Sequence, residues 1–402
     1  MGTYYRAGGF YLLAMFLGVT LSGCEDEEGG FSFSRGETRE NLNYAIVADT
    51  FAPIDQLFRL SAGQGRSCFF RSDVFLGSAS TQELDCWGRR LIGDYVNSLN
   101  RGENKMVVQG ADHVCIIRSD TGGRRVGCAG DNAYGQSVAP EPRDNTQFDV
   151  TDAGNWKGHW SFNVQVIAAG NHHTCLLDRF GVHCWGRNHR SQTSVPELLN
   201  PIWVAAGGDT TCAIDASQAL HCWGDIGQDQ VPSNLGAVSR VAVGADFVCA
   251  AANTAVTCWG NTTEWQVLPR QDYSDLQHLT AGRQHACVLD NVDINSDLEP
   301  HCFGVDNDDQ TLLVVPDLLK RNIRTLSAGN DFTCASRTYE GFEYQNTTDH
   351  TAVECWGNNE ENQTRSPKFL CVGFHDTRSR IDLNGDEVSD TDAAFCPADY
   401  PY

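Results

Sequence analysis

Ala169-Gly170-Asn171-His172-His173-Thr174-Cys175-Leu176-Leu177-Asp178, then Arg179-Phe180-Gly181, then Val182-His183-Cys184-Trp185-Gly186, is a unit that recurs along the chain. The next copy holds Ala206-Gly207, Cys212-Ala213-Ile214-Asp215 and Leu220-His221-Cys222-Trp223-Gly224. Another holds Val243-Gly244, Cys249-Ala250-Ala251 and Val256-Thr257-Cys258-Trp259-Gly260. Weaker copies run from Gly63 and Cys68 to Cys86-Trp87-Gly88, from Gly110 and Cys115 to Cys128-Ala129-Gly130, from Gly282 and Cys287 to Cys302-Phe303-Gly304, and from Gly329 and Cys334 to Cys355-Trp356-Gly357. In all seven, a glycine stands five residues before the first cysteine and another two residues after the second. First cysteines are spaced by 37 to 60 residues. A period of about 44 residues, rich in Val, Thr, Trp and Gly, suits one four-stranded propeller blade per repeat. No sustained 3.6-residue apolar face supports a helical repeat.

Within a repeat the stretch between the cysteines reads as a β-hairpin. A two-residue turn at Arg179-Phe180 pairs 178 with 181, 177 with 182 and 175 with 184. Opposed residues of an antiparallel ladder lie close enough for a disulfide. The reading predicts seven bridges, each inside one blade: Cys68–Cys86, Cys115–Cys128, Cys175–Cys184, Cys212–Cys222, Cys249–Cys258, Cys287–Cys302 and Cys334–Cys355. Of the 17 cysteines, Cys24, Cys371 and Cys396 remain, and an eighth bridge Cys371–Cys396 leaves Cys24 alone. So many cysteines without a C-x-x-C pair fit an exported, oxidised protein.

The pattern A-G-x-x-H-T-C … C-W-G-x-N-x-x-G-Q resembles the repeats of the RCC1 (regulator of chromosome condensation) family in a cysteine-bearing bacterial form. Asn132-Ala133-Tyr134-Gly135-Gln136 keeps the tail of that motif nearly whole, while Asn188 with Gln192, and Gln228, keep less. The resemblance covers roughly 60–364. It implies an all-β, seven-bladed propeller that uses a face as a docking surface, as family members do in nucleotide exchange on a small GTPase or in β-lactamase inhibition. Ala129 and Phe303 depart from the tryptophan position. Exchange activity is not expected of an exported chain.

The N-terminus bears on compartment. Arg6 precedes an apolar run, Phe10 to Thr20, too short to span a bilayer but suited to the core of a signal peptide. Leu21-Ser22-Gly23-Cys24 resembles the lipobox of bacterial lipoproteins, in which the cysteine is lipidated after cleavage. The chain thus divides into a lipoprotein signal peptide (1–23), a lipidated Cys24 with a flexible acidic tether (24–43), the propeller (44–370) and an acidic tail (371–402). The expected location is the bacterial cell envelope, with the membrane reached through the lipid anchor only. A strand at Tyr44–Asp49 or the stretch Phe369–Phe374 is expected to help close the ring.

A net charge of −23 in 402 residues argues against nucleic-acid binding, which needs clustered Lys and Arg. The repeated tryptophans and glycines read as blade packing. His113, His173 and His285 occupy one position in three different blades and read as structural, and His172 reads as an exposed loop residue. Asp382, Asn384, Asp386 and Asp390 resemble a calcium loop of the EF-hand or dockerin kind. Glu387 stands where that loop needs glycine, however, and a solvated acidic tail competes with it. No other cofactor is implied, and no nucleophile-and-base motif occurs.

The expected function is therefore non-catalytic recognition of an extracytoplasmic protein or ligand through face loops. Binding is placed on the largest elements that the blades do not share. These are the Glu141–Phe162 insertion, with Trp156 and Trp160, and the seventh hairpin, with Tyr339, Phe342 and Tyr344. Alternatives are a carbohydrate- or cell-wall-binding propeller using Trp156, Trp160 and Trp265, and a hydrolase with an unrecognised axial site.

Overall fold

The computed structural model describes residues 59–72, 82–89, 103–120, 123–139, 164–263, 265, 268–273, 276–291, 298–306, 311–319, 323–339 and 350–365. They form seven antiparallel sheets, each of three consecutive strands a, b and c. Blade 1 is β1 (Leu60–Ala62), β2 (Arg66–Ser72) and β3 (Gln82–Gly88); blade 2 is β4 (Glu103–Gln109), β5 (His113–Asp120) and β6 (Gly123–Gly130). Blade 3 is β7 (Val166–Ala169), β8 (His173–Asp178) and β9 (Gly181–Gly186); blade 4 is β10 (Pro201–Gly207), β11 (Thr210–Asp215) and β12 (Leu220–Gly224). Blade 5 is β13 (Val238–Val243), β14 (Phe247–Ala252) and β15 (Ala255–Gly260). Blade 6 is β16 (Leu276–Ala281), β17 (His285–Asn291) and β18 (Leu298–Gly304), and blade 7 is β19 (Ile323–Ala328), β20 (Phe332–Tyr339) and β21 (His350–Gly357). The inner strands meet in a closed cycle, β1 to β4, β7, β10, β13, β16, β19 and back to β1. The fold is a seven-bladed β-propeller.

The middle strand of each blade has a sheet neighbour on both edges and another blade over its faces. Its sequence is accordingly an unbroken run, as in Phe247-Val-Cys-Ala-Ala-Ala252, buried at every position. The outer strand is only partly buried, with Val182 and Trp185 buried in β9 and His183 and Cys184 half-buried between them. All seven hairpin bridges form, with Cys175 opposite Cys184, Leu177 opposite Val182 and Asp178 opposite Gly181 as the turn at Arg179-Phe180 requires. Each first cysteine is fully buried. Closing loops of 9 to 21 residues, each bridge stabilises by about 3 kcal/mol in the chain-entropy account.

One expectation is corrected. Among the described residues each blade has three strands, not four: after β12 the chain turns through a short 3-10 segment, Gln228–Gln230, and adds no ladder. The exposed edge is blunted by side chains. Gln228 accepts from the Cys222 N–H (2.9 Å) and donates to the Leu220 carbonyl (3.3 Å). Gln271 donates to the Val256 carbonyl (3.0 Å), and β18 carries Pro300, which has no N–H to offer. Such devices keep an edge from pairing with another chain.

At the seam, blade 7 closes the ring on blade 1. Among the described residues no sheet mixes strands from the two chain ends, and blade 7 meets blade 1 as any blade meets the next. Tyr44–Asp49 and Phe369–Phe374 lie outside the described residues. Around the axis, the glycine before each first cysteine approaches the backbone of the following blade. A Cβ on Gly170 would lie 2.8 Å from the Gly208 carbonyl, and one on Gly329 would lie 2.6 Å from that of Gly63. The neighbouring amides bond across the same gap: Asn171 to Gly208 (2.8 Å), Ala245 to Gly282 (3.1 Å), Arg283 to Asn330 (3.0 Å) and Asn330 to Gly63 (3.2 Å). The repeated glycine is thus a requirement of close approach between blades.

Candidate functional site

Each outer strand ends beside the a–b turn of its own blade. Seven backbone bonds fix this, among them Asp131 N to Asp112 O (2.7 Å), Arg187 N to His172 O (2.8 Å) and Asn358 N to Asp331 O (2.8 Å). The a–b turns and the loops to the next blade therefore share one face, the turn face. The b–c hairpin tips lie at the other end of the strands.

Three loops on the turn face repeat the same backbone contacts from one asparagine and one glutamine. Asn132 accepts from the Ser137 amide (3.0 Å), Asn188 from Thr193 (3.0 Å) and Asn359 from Thr364 (3.1 Å). Gln136, Gln192 and Gln363 accept from the amide two residues earlier (2.8–2.9 Å). The residue just before each glutamine has positive φ: Gly135, Ser191 and Asn362. The carbonyl of that glutamine then receives the next blade's tryptophan: Trp185 on Gln136 (3.0 Å), Trp223 on Gln192 (3.0 Å), and Trp87 on Gln363 (2.9 Å), which closes the ring. The repeated tryptophans are buried, with 6–9% of their surface exposed, and serve the blade junctions.

The same carbonyls accept from Thr174 (3.1 Å), Thr211 (2.9 Å) and Ser67 (3.0 Å). Those threonines in turn meet a histidine of the preceding blade: His113 with Thr174 (2.9 Å), His173 with Thr211 (2.9 Å) and, at the next such junction, His285 with Thr333 (2.8 Å). Histidine and threonine occur together. Where the histidine position holds Arg66, Thr210, Phe247 or Phe332, the facing residue of the next blade is Val114, Val248, Ala286 or Ser67. Burial, ahead of the neighbouring charges, pushes His113 down to about 4 and His173 and His285 down to about 3.

Beyond these structural contacts the turn face carries an exposed aromatic. Tyr134 is 49% exposed. The Arg187 guanidinium lies 5.1 Å from its ring centroid and the His172 ring stands edge-on at 5.5 Å. His172 is half-buried against that tyrosine rather than exposed. Arg187 has no carboxylate partner among the described residues, whereas Arg89 pairs with Asp112, Arg190 with Asp225 (3.5 Å) and Arg283 with Asp331 (2.8 Å).

On the hairpin side Asp178 and Asp215 hold one repeat position, each with a histidine. His183 lies 3.2 Å from Asp178, and His221 lies 2.9 Å from Asp215. Asp215 also accepts from the Ser217 amide (2.8 Å), the Ser217 hydroxyl (2.6 Å) and the Ala219 amide (3.1 Å). Burial works to raise its pKa, but these hydrogen bonds together hold the carboxyl below its ordinary range. The carboxylate sits between serine and histidine, so the imidazole contacts no hydroxyl that it could activate. The arrangement caps a turn.

Of the residues singled out in the sequence, Cys24, Trp156, Trp160, Phe342, Tyr344, Cys371, Asp382, Asn384, Asp386, Asp390 and Cys396 lie outside the described residues. Tyr339 is the last residue of β20, at the hairpin end of blade 7. The insertion leaves the described structure after Ala139, just past the Tyr134 loop. The two elements therefore depart from different blades. Trp265, read as an exposed aromatic, is instead packed at 5.0 Å from Phe247 and 5.7 Å from Phe303, with a buried indole N–H. Phe303, smaller than the usual tryptophan, leaves the room. Two signals were missed. Glutamine recurs six residues after the final glycine of the repeat, at 136, 192, 230, 266, 310 and 363, so Gln230 and not Gln228 holds the motif position in blade 4. The Tyr134–Arg187 contact joins two repeats and has no sequence spacing of its own.

No family model matches the chain. Among solved structures it is similar to the CRINKLY WD40 ectodomain of the Arabidopsis thaliana receptor kinase ACR4, at 20% identity over 74% of this chain and 93% of that one, with a TM-score of 0.50. It is also similar to the entire ectodomain of the Physcomitrella patens receptor kinase CR4, at 19% identity over 74% and 72% of the two chains, with a TM-score of 0.49. Yeast RCC1 (Prp20), crystallised with Kap60, matches at 14% identity over 87% and 88%, with a TM-score of 0.48. At 20% identity the likeness to the ACR4 ectodomain is one of fold.

Proposed function

We propose that the chain is a non-catalytic recognition propeller of RCC1-like repeats, held at a bacterial cell envelope by a lipidated Cys24, that binds a protein partner on its turn face. The observation that carries this reading is the Tyr134–His172–Arg187 cluster. Every blade spends its repeated residues on its neighbours, while this cluster lies outside the repeat and presents the exposed Tyr134 ring, with Arg187 and the half-buried His172 beside it, across the boundary of blades 2 and 3. Aromatic and arginine side chains dominate interface hot spots. Trp156 and Trp160 follow the Tyr134 loop in sequence and are proposed to extend the same surface. Tyr339, Phe342 and Tyr344 depart from the hairpin end of blade 7 and are proposed as a second, separate contact. The seven bridges fit an oxidising compartment. Receptor ectodomains among the similar folds are compatible with a binding role. For the tail, a Cys371–Cys396 bridge and calcium at Asp382, Asn384, Asp386 and Asp390 belong to the same proposal.

The test is site-specific photo-crosslinking in the native cell. A benzophenone side chain in place of Tyr134 or Trp156 is expected to capture the same single protein, while one in place of Phe180, exposed at a hairpin tip, captures none. Tyr134→Ala is then expected to weaken binding of that protein at least tenfold, about 1.4 kcal/mol, with an unchanged melting curve. Capture from Phe180 alone, or full affinity in Tyr134→Ala, overturns the assignment.

A further inference from the structure

Blade 3 is the one blade among the seven that has a histidine–threonine pair on both of its junctions. His113 of blade 2 reaches Thr174 on one side, and His173 reaches Thr211 of blade 4 on the other, each at 2.9 Å. Both hydroxyls donate onward to glutamine carbonyls, so each must accept from its imidazole, which fixes the proton on Nε2. Both Nδ1 atoms are buried with no hydrogen-bond partner. A second proton would therefore sit on a nitrogen with no acceptor, in surroundings where an uncompensated charge is costly.

The charged and titratable groups facing these rings do not relieve that cost. His113 faces His172, Arg66, Asp131 and Asp112, with His172 and Arg66 the stronger influences. His173 faces His113 and His172 and no carboxylate. Blade 5 is the natural contrast. At this repeat position its pairs are Thr210 with Val248 and Phe247 with Ala286, neither of which titrates. His278 of blade 6, buried beside Arg240 of blade 5 and held down to about 4 by burial, gives blade 5 one such histidine at its borders where blade 3 has two. The Phe247 ring lies beneath Gly244 just as the His113 ring lies beneath Gly110, so the two side chains fill one slot.

We propose that blade 3 is an acid-released segment of the ring: protonation of His113 and His173 frees β7–β9 from both neighbouring blades, while the Cys175–Cys184 bridge keeps their hairpin closed.

The direction follows from linkage. Both histidines are held below their ordinary value of 6.5, at about 4 and about 3, so the closed junctions bind fewer protons than the open ones. The closed state is fully favoured above 6.5 and loses ground as pH falls toward 4. Each histidine shifts the opening equilibrium about tenfold per pH unit in that window, and the pair about a hundredfold.

Hydrogen exchange of the intact, oxidised full-length chain, read by mass spectrometry from pH 7 to pH 5 and corrected for intrinsic rates, tests this. Peptides from Val166–Gly186 are expected to lose protection before those from Val238–Gly260. Transplanting the blade 5–6 pair, as His113→Phe with Thr174→Ala and His173→Phe with Thr211→Ala, is expected to bring the acid exchange of blade 3 down to that of blade 5. The reciprocal pair Phe247→His with Ala286→Thr is expected to sensitise blade 5, and serves if the fourfold variant does not fold. The proposal is wrong if blades 3 and 5 lose protection at the same pH, or if the substitutions leave the order of exchange unchanged.

Discussion

Thr211 carries three duties in one hydroxyl. It accepts from His173 at 2.9 Å, donates to the Gln192 carbonyl at 2.9 Å, and lies 3.7 Å from the Cys175 sulfur of the preceding blade. All of this is buried, so removing the hydroxyl strands a donor as well as losing a bond. Thr211→Val is expected to cost about 1–3 kcal/mol in a urea melt at pH 7.5. Restoring an apolar match with His173→Phe and Thr211→Ala is expected to recover most of that loss, since Phe247 already faces Ala286 in this chain. A double variant weaker than the sum of its parts would mean that the histidine has another partner. The pairing links residues 38 apart in sequence, and only the repeat alignment makes it visible.

At the scale of the element, the hairpins differ chiefly in loop length. The Cys175–Cys184 loop separates its cysteines by 9 positions and the Cys334–Cys355 loop by 21. Closure entropy grows with the logarithm of that number, so replacing Cys334 and Cys355 by alanine is expected to cost about 0.7 kcal/mol more than the same change at Cys175 and Cys184. Paired denaturant melts of the two variants measure the difference, and an inverted order would point to structure retained in the longer loop after unfolding. Hairpin register was legible in the sequence because the cysteines fix which residues oppose one another. The strand number was not. The segment after Gly224 mixes Ile226, Val231 and Leu235 with polar residues, and whether it adds a fourth ladder depends on Gln228 turning back onto β12. The third tail loop was overlooked because Asn362, in the left-handed region at φ 59°, stands where Gly135 marks the motif. The burial of Trp265 depended on the space beside Phe303, which belongs to a different repeat.

For the whole molecule the seam between blades 7 and 1 is the place to press. It is held by Gln363 accepting from Trp87 and Ser67, by Ser327 accepting from the Ala62 amide at 2.8 Å, and by the Asn330–Gly63 backbone bond. All of these end by Arg365. A chain stopped after Arg365 is expected to melt cooperatively, within a few degrees of the full chain, while one stopped after Gly357 loses the Gln363 carbonyl and melts many degrees lower. Equal loss in both would show that residues 366–402 take part in closure. The bridges add nothing here, for each of the seven joins two strands of one blade and none crosses a junction. To a protease, then, the hoop is a string of seven eyelets. A cut inside an eyelet, as between Cys334 and Cys355, leaves one covalent piece until reductant is added. A cut between eyelets leaves two fragments that only packing holds together, and gels run with and without reductant read the site of cleavage directly from that difference.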